Sequence, residues 1–444
     1  MGKKDIFPEV VMSVDSNTPD VGNKKSILLT TRWRFIIMLF ILYTINCIDR
    51  IALSVGMPLI AQDFSLSGKM QGLILSAFFW TYCLCQIPGG KAADRWGGRL
   101  VIGVATVIWG AFQCLSAIAV NGLFLLLTRV GLGAFEAPFM PSASKLTASW
   151  LPPRERGRGI TLIDSGAPFG SAVGGLLVAS LIAFFSSWRI AFFLIGVLTI
   201  VAGIVVYLYA RDKPHEHKSM GKKELDFIDE QKRLAGEVQT QSTNMVLSKK
   251  TLVAMVIGRI GWAMVFFGLV TWGPSYLANG RGMNLQAMGY ATFIIFLCGA
   301  IGEVVSGYLV DMLQRVLPRN VACKLLFGIS GAMALVCLLA LPFISDSSMA
   351  VIVLAIGVFF HLWGGLYWII PAMLSPENKI GLVGGIMNFA GTSSGIFVPI
   401  IVGFLVDMTG GYTAALYFFA GCAFAYLLGS LCINFGSSSP KTTG

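Results

Sequence analysis

Gly90-Lys91-Ala92-Ala93-Asp94-Arg95-Trp96-Gly97-Gly98-Arg99 is a short polar turn set between two apolar stretches, 70–90 and 99–120. A degenerate copy, Gly307-Tyr308-Leu309-Val310-Asp311-Met312-Leu313-Gln314-Arg315, follows another apolar stretch 217 residues later, 307 against 90. A second feature repeats at nearly the same offset: Gly166-x3-Gly170 returns as Gly391-x3-Gly395, displaced by 225. A small-x3-small pair alone only lets two helices approach closely. Two features recurring at one offset mean that the chain is built twice.

The composition says in which solvent. Of 444 residues, 55% are hydrophobic and 12% charged, with a mean hydropathy of +0.75. A soluble chain carries roughly 25% charged residues, so a water-soluble enzyme is excluded, as are collagen-like and disulfide-scaffold chains. The nine cysteines all fall in or beside apolar stretches, and Cys83-x-Cys85 lacks metal-ligand spacing, so buried free thiols and no metal or cofactor are expected. The net charge of +11 does not indicate nucleic acid, because no basic helix interleaved with aromatics is present.

A membrane span needs roughly 20 mostly apolar residues. Twelve stretches qualify: 34–58, 70–90, 99–120, 122–145, 158–184, 189–209, 251–278, 287–311, 321–344, 349–373, 380–407 and 413–435. Lys and Arg concentrate on the cytoplasmic side of such proteins. With both termini inside, Lys69, Arg189 and Arg281 alone lie outside, and Arg50, Arg129 and Arg259 within spans. The expected organisation is a cytoplasmic tail (1–32), a six-helix bundle (33–210), a cytoplasmic linker (211–250), a second six-helix bundle (251–435) and a short tail (436–444). The linker is too short and too rich in Lys, Glu and Gln to build a core. One surface helix is expected at 221–236, with His215 and His217 in solvent. Residues 1–30 have no signal-peptide hydrophobic region and read as a disordered tail.

The Gly-x3-Asp-Arg-x-Gly-x-Arg turn at 90–99 resembles the signature of the major facilitator superfamily. Asn46-Cys47-Ile48-Asp49-Arg50 with Leu53-Ser54, and Arg129-Val-Gly-Leu-Gly133-Ala-Phe-Glu136-Ala-Pro138, are similar to its anion:cation symporter branch. The resemblance covers about 32–435. It implies an all-α membrane fold of twelve helices in two pseudo-symmetric six-helix halves. It also implies proton-coupled import of an organic anion, such as a hexuronate, aldonate or aldarate, across the bacterial inner membrane. Matching positions assign Arg50 and Arg129 to the substrate carboxylate, Asp49 and Glu136 to the proton, and Tyr43, Tyr82, Asn46 and Asn388 to the substrate's polar groups. Gly90, Asp94, Arg95, Arg99 and Asp311 would form a cytoplasmic gate. The sequence departs from the signature at Met312, where the second turn lacks its basic residue.

The residues themselves support a polar centre. Asp49, Arg50, Arg129, Glu136 and Asp164 all fall within spans. Each costs about 2.5–3.5 kcal/mol at mid-membrane, so the five facing lipid would cost on the order of 12–17 kcal/mol. They face a cavity or one another. Arg129, Gly133 and Glu136 share one helix face, the two charges roughly 10 Å apart along the axis. Tyr43, Asn46 and Arg50 share a face of the first span, with Asp49 about 100° round it. Arginine offers a carboxylate a planar fork that stays charged. A carboxylate away from water can take up and release a proton. Structural ion pairs Asp49–Arg50 and Arg129–Glu136 are the competing reading. Asp164 reads equally as a cap before Gly166 and Pro168, Arg259 as a cation snorkelling near a helix end, and Glu303 as a weak second-half candidate. His361 with Trp363 reads as a packed aromatic cluster. Trp363, Tyr367, Asn388 and Thr392 are too generic to decode as specificity contacts.

Other classes fit poorly. No P-loop or HExxH motif is present. A membrane sensor needs a signalling domain that tails and linker do not supply. Sodium coupling or anion exchange on the same fold is the nearest rival, and no obligate protein partner is evident.

Overall fold

A computed structural model describes residues 30–238, 248–374 and 380–436. The tail expected to be disordered (1–29), 239–247, 375–379 and the last residues, 437–444, lie outside the described residues. The described chain is helical, with twelve helices long and apolar enough to cross a membrane. Spans 1 to 6 are Thr31–Asp63, Gly68–Trp96, Gly98–Ala117, Gly122–Trp150, Glu155–Phe185 and Trp188–Tyr209. Spans 7 to 12 are Lys249–Gly280, Leu285–Val316, Arg319–Phe343, Ser347–Ile369, Val383–Thr409 and Thr413–Leu431. The first six and the last six lie on either side of the linker helix Lys222–Val238 in the chain.

Helix ends are treated differently at the two membrane faces. At the end away from the termini, spans 2, 4, 6, 8 and 10 each start on a side-chain cap: Ser67, Asn121, Ser187, Asn284 and Asp346 accept from the amides of Met70, Phe124, Ile190, Ala287 and Met349. Such caps satisfy amides that the helix leaves unpaired. At this same end the halves are sealed. The Asp407 carboxylate of span 11 accepts from the Gly68 and Lys69 amides at 2.7 Å each. The absence of side chains permits the contact: a Cβ on Gly72 would lie 2.4 Å from the Pro399 carbonyl oxygen, and one on Gly403 2.3 Å from that of Gly68.

In the membrane centre several spans break. Span 4 is interrupted between Glu136 and Phe139, where Pro138 can donate no amide to the ladder. Span 5 is interrupted after Asp164. Span 10 tightens into a 3-10 stretch, Leu362–Ile369. Irregular backbone at membrane depth survives where it is buried in protein or lines a cavity, and these breaks surround one.

The linker corrects one expectation. A helix does form, Lys222–Val238, but His217 is 8% exposed rather than solvated. Its ring packs edge-on against Trp150 and Tyr209, with centroids 5.4 and 4.8 Å away. Burial, assisted by Arg211, pushes its imidazole below the usual histidine range. Nδ1 accepts from the Ser219 amide at 3.2 Å. The linker helix is also tied down: Glu224 accepts from the amides of Thr31 and Arg32, and Arg32 bridges Glu224 and Glu155.

Candidate functional site

Between the halves lies a cavity of about 500 Å³, reaching from the broken helices toward the end of the bundle where the chain termini lie. Tyr43, Arg50, Tyr82, Arg129 and Asn388, five of the expected substrate contacts, line it. Asn46 does not: it is fully buried beside Glu136, behind the wall. Its place one helical turn before Arg50 brings it to the same face but deeper in the packing.

The charges pair differently from either ion pair anticipated. Arg50 donates through Nε to Glu136 Oε1 at 2.5 Å and forms a salt bridge to the same oxygen, joining span 1 to the break in span 4. Its guanidinium lies over the Phe78 and Tyr82 rings, 4.8 and 4.6 Å from their centroids. Asp49 turns away from the cavity, as its position round the helix requires. Its Oδ2 accepts from the Trp109 indole at 3.0 Å and from the Thr199 hydroxyl at 2.9 Å. Both Asp49 and Glu136 are fully buried.

Arg129 is 2% exposed and is held by neutral groups. It donates to Gln113 Oε1 at 2.9 Å and to the Ser116 hydroxyl. No carboxylate lies within salt-bridge distance of it among the described residues, and its Nε has no partner there. A buried guanidinium with an unused donor, oriented by a glutamine and a serine, is suited to receive an anion. Gly133, on the same face, makes room for a helix rather than a ligand, since a Cβ there would lie 2.1 Å from the Phe78 carbonyl oxygen of span 2.

Three residues read weakly from sequence belong to the wall. Arg259 does not snorkel: it is 5% exposed, lies over the Trp262 and Trp368 rings at 4.3 and 5.0 Å, and faces the cavity. Asp164 and Glu303 line the same region. His361 stacks on Trp262, 5.5 Å away and 11° from parallel, whereas Trp363 packs against Phe359 and Phe360. Gln86, Gln113, Ser116, Trp109 and Thr199 were missed altogether. An uncharged polar residue inside a span was their only signal.

The residues expected to gate are apart in this conformation. Asp94 faces Lys145 at 3.4 Å, Arg95 lies over Trp96, and Arg99 donates to the Tyr207 carbonyl at 2.9 Å. Gly97 takes φ +89°, and a Cβ would meet Asp212, which accepts from the Arg99 amide. Gly90 has open space, its nearest neighbour being Pro141 at 3.6 Å. Asp311 lies in the helix of span 8, and its side chain is outside the described residues.

The Major Facilitator Superfamily profile matches residues 39–399. The chain belongs to the major facilitator superfamily. Among its relatives, this transporter is 31% identical to a hexuronate transporter of Bacillus subtilis, over 87% of this chain and 91% of the relative. It is 30% identical to a probable galactarate/D-glucarate transporter of Escherichia coli, over 87% and 90%. It is 29% identical to a D-galactonate transporter of E. coli, over 87% and 92%. In fold it is similar to a bacterial homologue of the human lysosomal transporter Spinster, solved inward-facing and occupied, with a TM-score of 0.69 at 19% identity, over 90% of this chain and 94% of that one. As a major facilitator among named transporters it is not an enzyme.

Proposed function

We infer that this facilitator imports a sugar acid together with protons, by alternating exposure of the central cavity. The observation that carries the reading is Arg129, a buried cation in the cavity wall without a carboxylate in salt-bridge distance among the described residues. An anion entering beside it can accept from the unused Nε donor, and the fork geometry favours a carboxylate. The cavity falls in the range of roughly 300–1,000 Å³ typical of small-ligand sites, and Tyr43, Tyr82, Gln86 and Asn388 offer the polar contacts that a hydroxyl-rich acid needs.

Coupling follows from the Arg50–Glu136 pair. In this structure Glu136 occupies Arg50. Protonating Glu136 removes its negative charge and frees Arg50 to join Arg129 on the substrate carboxylate. Proton and substrate therefore bind together, each favouring the other by the reciprocity of linked equilibria. Asp49, bonded to Trp109 and Thr199, is the second proton carrier and faces spans 3 and 6. With the Asp407 contacts sealing one end and the cavity reaching toward the other, this conformation is the inward-open one.

The test is uptake of labelled D-glucuronate, D-galactonate or galactarate into proteoliposomes under an imposed proton gradient, and separately under a sodium gradient of equal size. Accumulation driven by protons alone is the expected result. Accumulation driven by sodium with no proton requirement overturns the coupling.

A further inference from the structure

The second-half side of the cavity carries a charged group that the carboxylate-binding arginines leave unexplained. Arg259 of span 7, buried among aromatic rings, has both Nε and Nη1 without a partner among the described residues. Asp164, at the break in span 5, and Glu303 of span 8 lie within electrostatic reach of it and of each other. Yet neither forms a salt bridge with Arg259 at 4.0 Å or less among the described residues. The three line the cavity around a gap rather than closing on one another.

The gap is protected by what the neighbours lack. A Cβ on Gly365 would lie 2.7 Å from Glu303 Oε1, and one on Gly391 2.9 Å from Arg259 Nε. The Trp368 ring stands beside the Arg259 guanidinium, 5.0 Å from its centroid, and lines the cavity with Asp164. The arrangement offers unused donors from Arg259 next to acceptors from two carboxylates.

An occupant of such a gap must accept from Arg259 and donate to the carboxylates. A run of hydroxyls does both, because each hydroxyl is donor and acceptor at once. A second carboxylate does not: it can accept only, and it would enter a region where two carboxylates already outnumber one guanidinium. Like charges brought together across a binding site suppress wrong ligands, just as opposite charges attract right ones.

We propose that Asp164, Arg259 and Glu303 form a polyol subsite which makes this carrier selective for sugar acids with one carboxylate, aldonates and uronates, against aldarates with two. The proposal rests on the sugar-acid reading above and decides a point on which the relatives divide, since they include transporters named for both kinds. The substrate lies with its acid on Arg50 and Arg129 and its hydroxylated far end against Arg259, Asp164 and Glu303. The latter three are specificity-determining contacts.

Binding is read without transport, from quenching of tryptophan fluorescence in the purified full-length protein, with Trp262 and Trp368 at the subsite. The probes are D-galactonate, D-glucuronate, galactarate and hexanoate. Wild type is expected to bind galactonate or glucuronate at least tenfold more tightly than galactarate or hexanoate. Glu303→Gln removes one repelling charge while keeping a hydrogen-bonding amide, and should narrow the galactonate-over-galactarate ratio at least threefold by improving galactarate. Asp164→Asn is a second variant with the same expected direction, and a thermal melt establishes that each is folded. Arg259→Ala should weaken galactonate tenfold or more and leave hexanoate unchanged. Galactarate binding as tightly as galactonate in wild type overturns the proposal while leaving the sugar-acid reading standing. So does an unchanged ratio in both carboxylate variants. Failure of every sugar acid to bind overturns the sugar-acid reading and the subsite with it.

Discussion

Replacing Asp407 with alanine acts on one conformation of the carrier, and its effect follows from two distances. The Asp407 carboxylate accepts from the Gly68 and Lys69 amides at 2.7 Å each, so a side chain of the second half caps a helix of the first. An N-cap is worth about 1 kcal/mol. The favourable field of a helix N-terminus on a carboxylate adds about 0.3–1 kcal/mol at an exposed site, and Asp407 is exposed. The sum, about 1.5 kcal/mol, is roughly a tenfold change in an equilibrium. Since the contact exists only while this end is sealed, Asp407→Ala should raise the opening equilibrium there about tenfold. Hydrogen–deuterium exchange of peptides covering 64–72 reads this directly, because the Gly68 and Lys69 amides lose their acceptor and the first turn of span 2 exchanges faster. Asp407→Asn keeps an acceptor but loses the charge, so roughly a threefold effect is expected. Salt near 1 M should screen the charge contribution and bring wild type toward the asparagine variant. Exchange at 64–72 unchanged in Asp407→Ala would refute the reasoning, since the seal would then rest on the glycine contacts alone.

Arg129→Ala should lower sugar-acid affinity at least a hundredfold, two charge-assisted hydrogen bonds being worth about 1.5–3 kcal/mol each. Arg129→Lys should recover part of that loss, as titration calorimetry will show. Glu136→Gln leaves Arg50 without its anionic partner and cannot exchange a proton. Proteoliposomes carrying it should lose pH-driven accumulation yet still exchange labelled for unlabelled substrate, and accumulation at wild-type levels would remove Glu136 from coupling. His217 is held below its ordinary pKa, so the unfolded chain binds its proton first as pH falls below about 6.5. Stability should therefore drop between pH 7.5 and 5.5, with linker amides exchanging faster, and His217→Phe, which keeps the ring packing, should flatten the pH dependence.

The twelve spans, the division into halves and the linker helix were legible because each is a property of one contiguous stretch. Helical spacing put Tyr43 and Arg50 on one face, and both line the cavity; it also turned Asp49 toward a neighbouring helix, where it meets Trp109 and Thr199. What spacing cannot give is the partner across helices. Glu136 shares a helix with Arg129 but pairs with Arg50, 86 positions earlier, because the break before Pro138 lies against span 1. Arg259 shows a signal that was underused. Span 7 begins at Lys249, so ten residues on, Arg259 sits roughly 15 Å below that end, too deep for a snorkelling side chain. Asp164 and Glu303 gain meaning only once span 5 of one half and span 8 of the other are known to flank one cavity.

The anchoring of the linker helix changes how the two halves should be pictured mechanically. Glu224 holds the start of span 1, Arg32 fastens Glu224 to Glu155, and Lys232 donates to the Ser149 carbonyl at 2.8 Å. The stretch through Lys232 is thus a strap buckled onto spans 1, 4 and 5, and it belongs mechanically to the first half. The stretch left between this strap and span 7 is correspondingly shorter than the polar segment that separates the halves in sequence. A chain cut after Val238 would keep the buckle whole, whereas a cut at 211–221 would sever the strap from the half it braces.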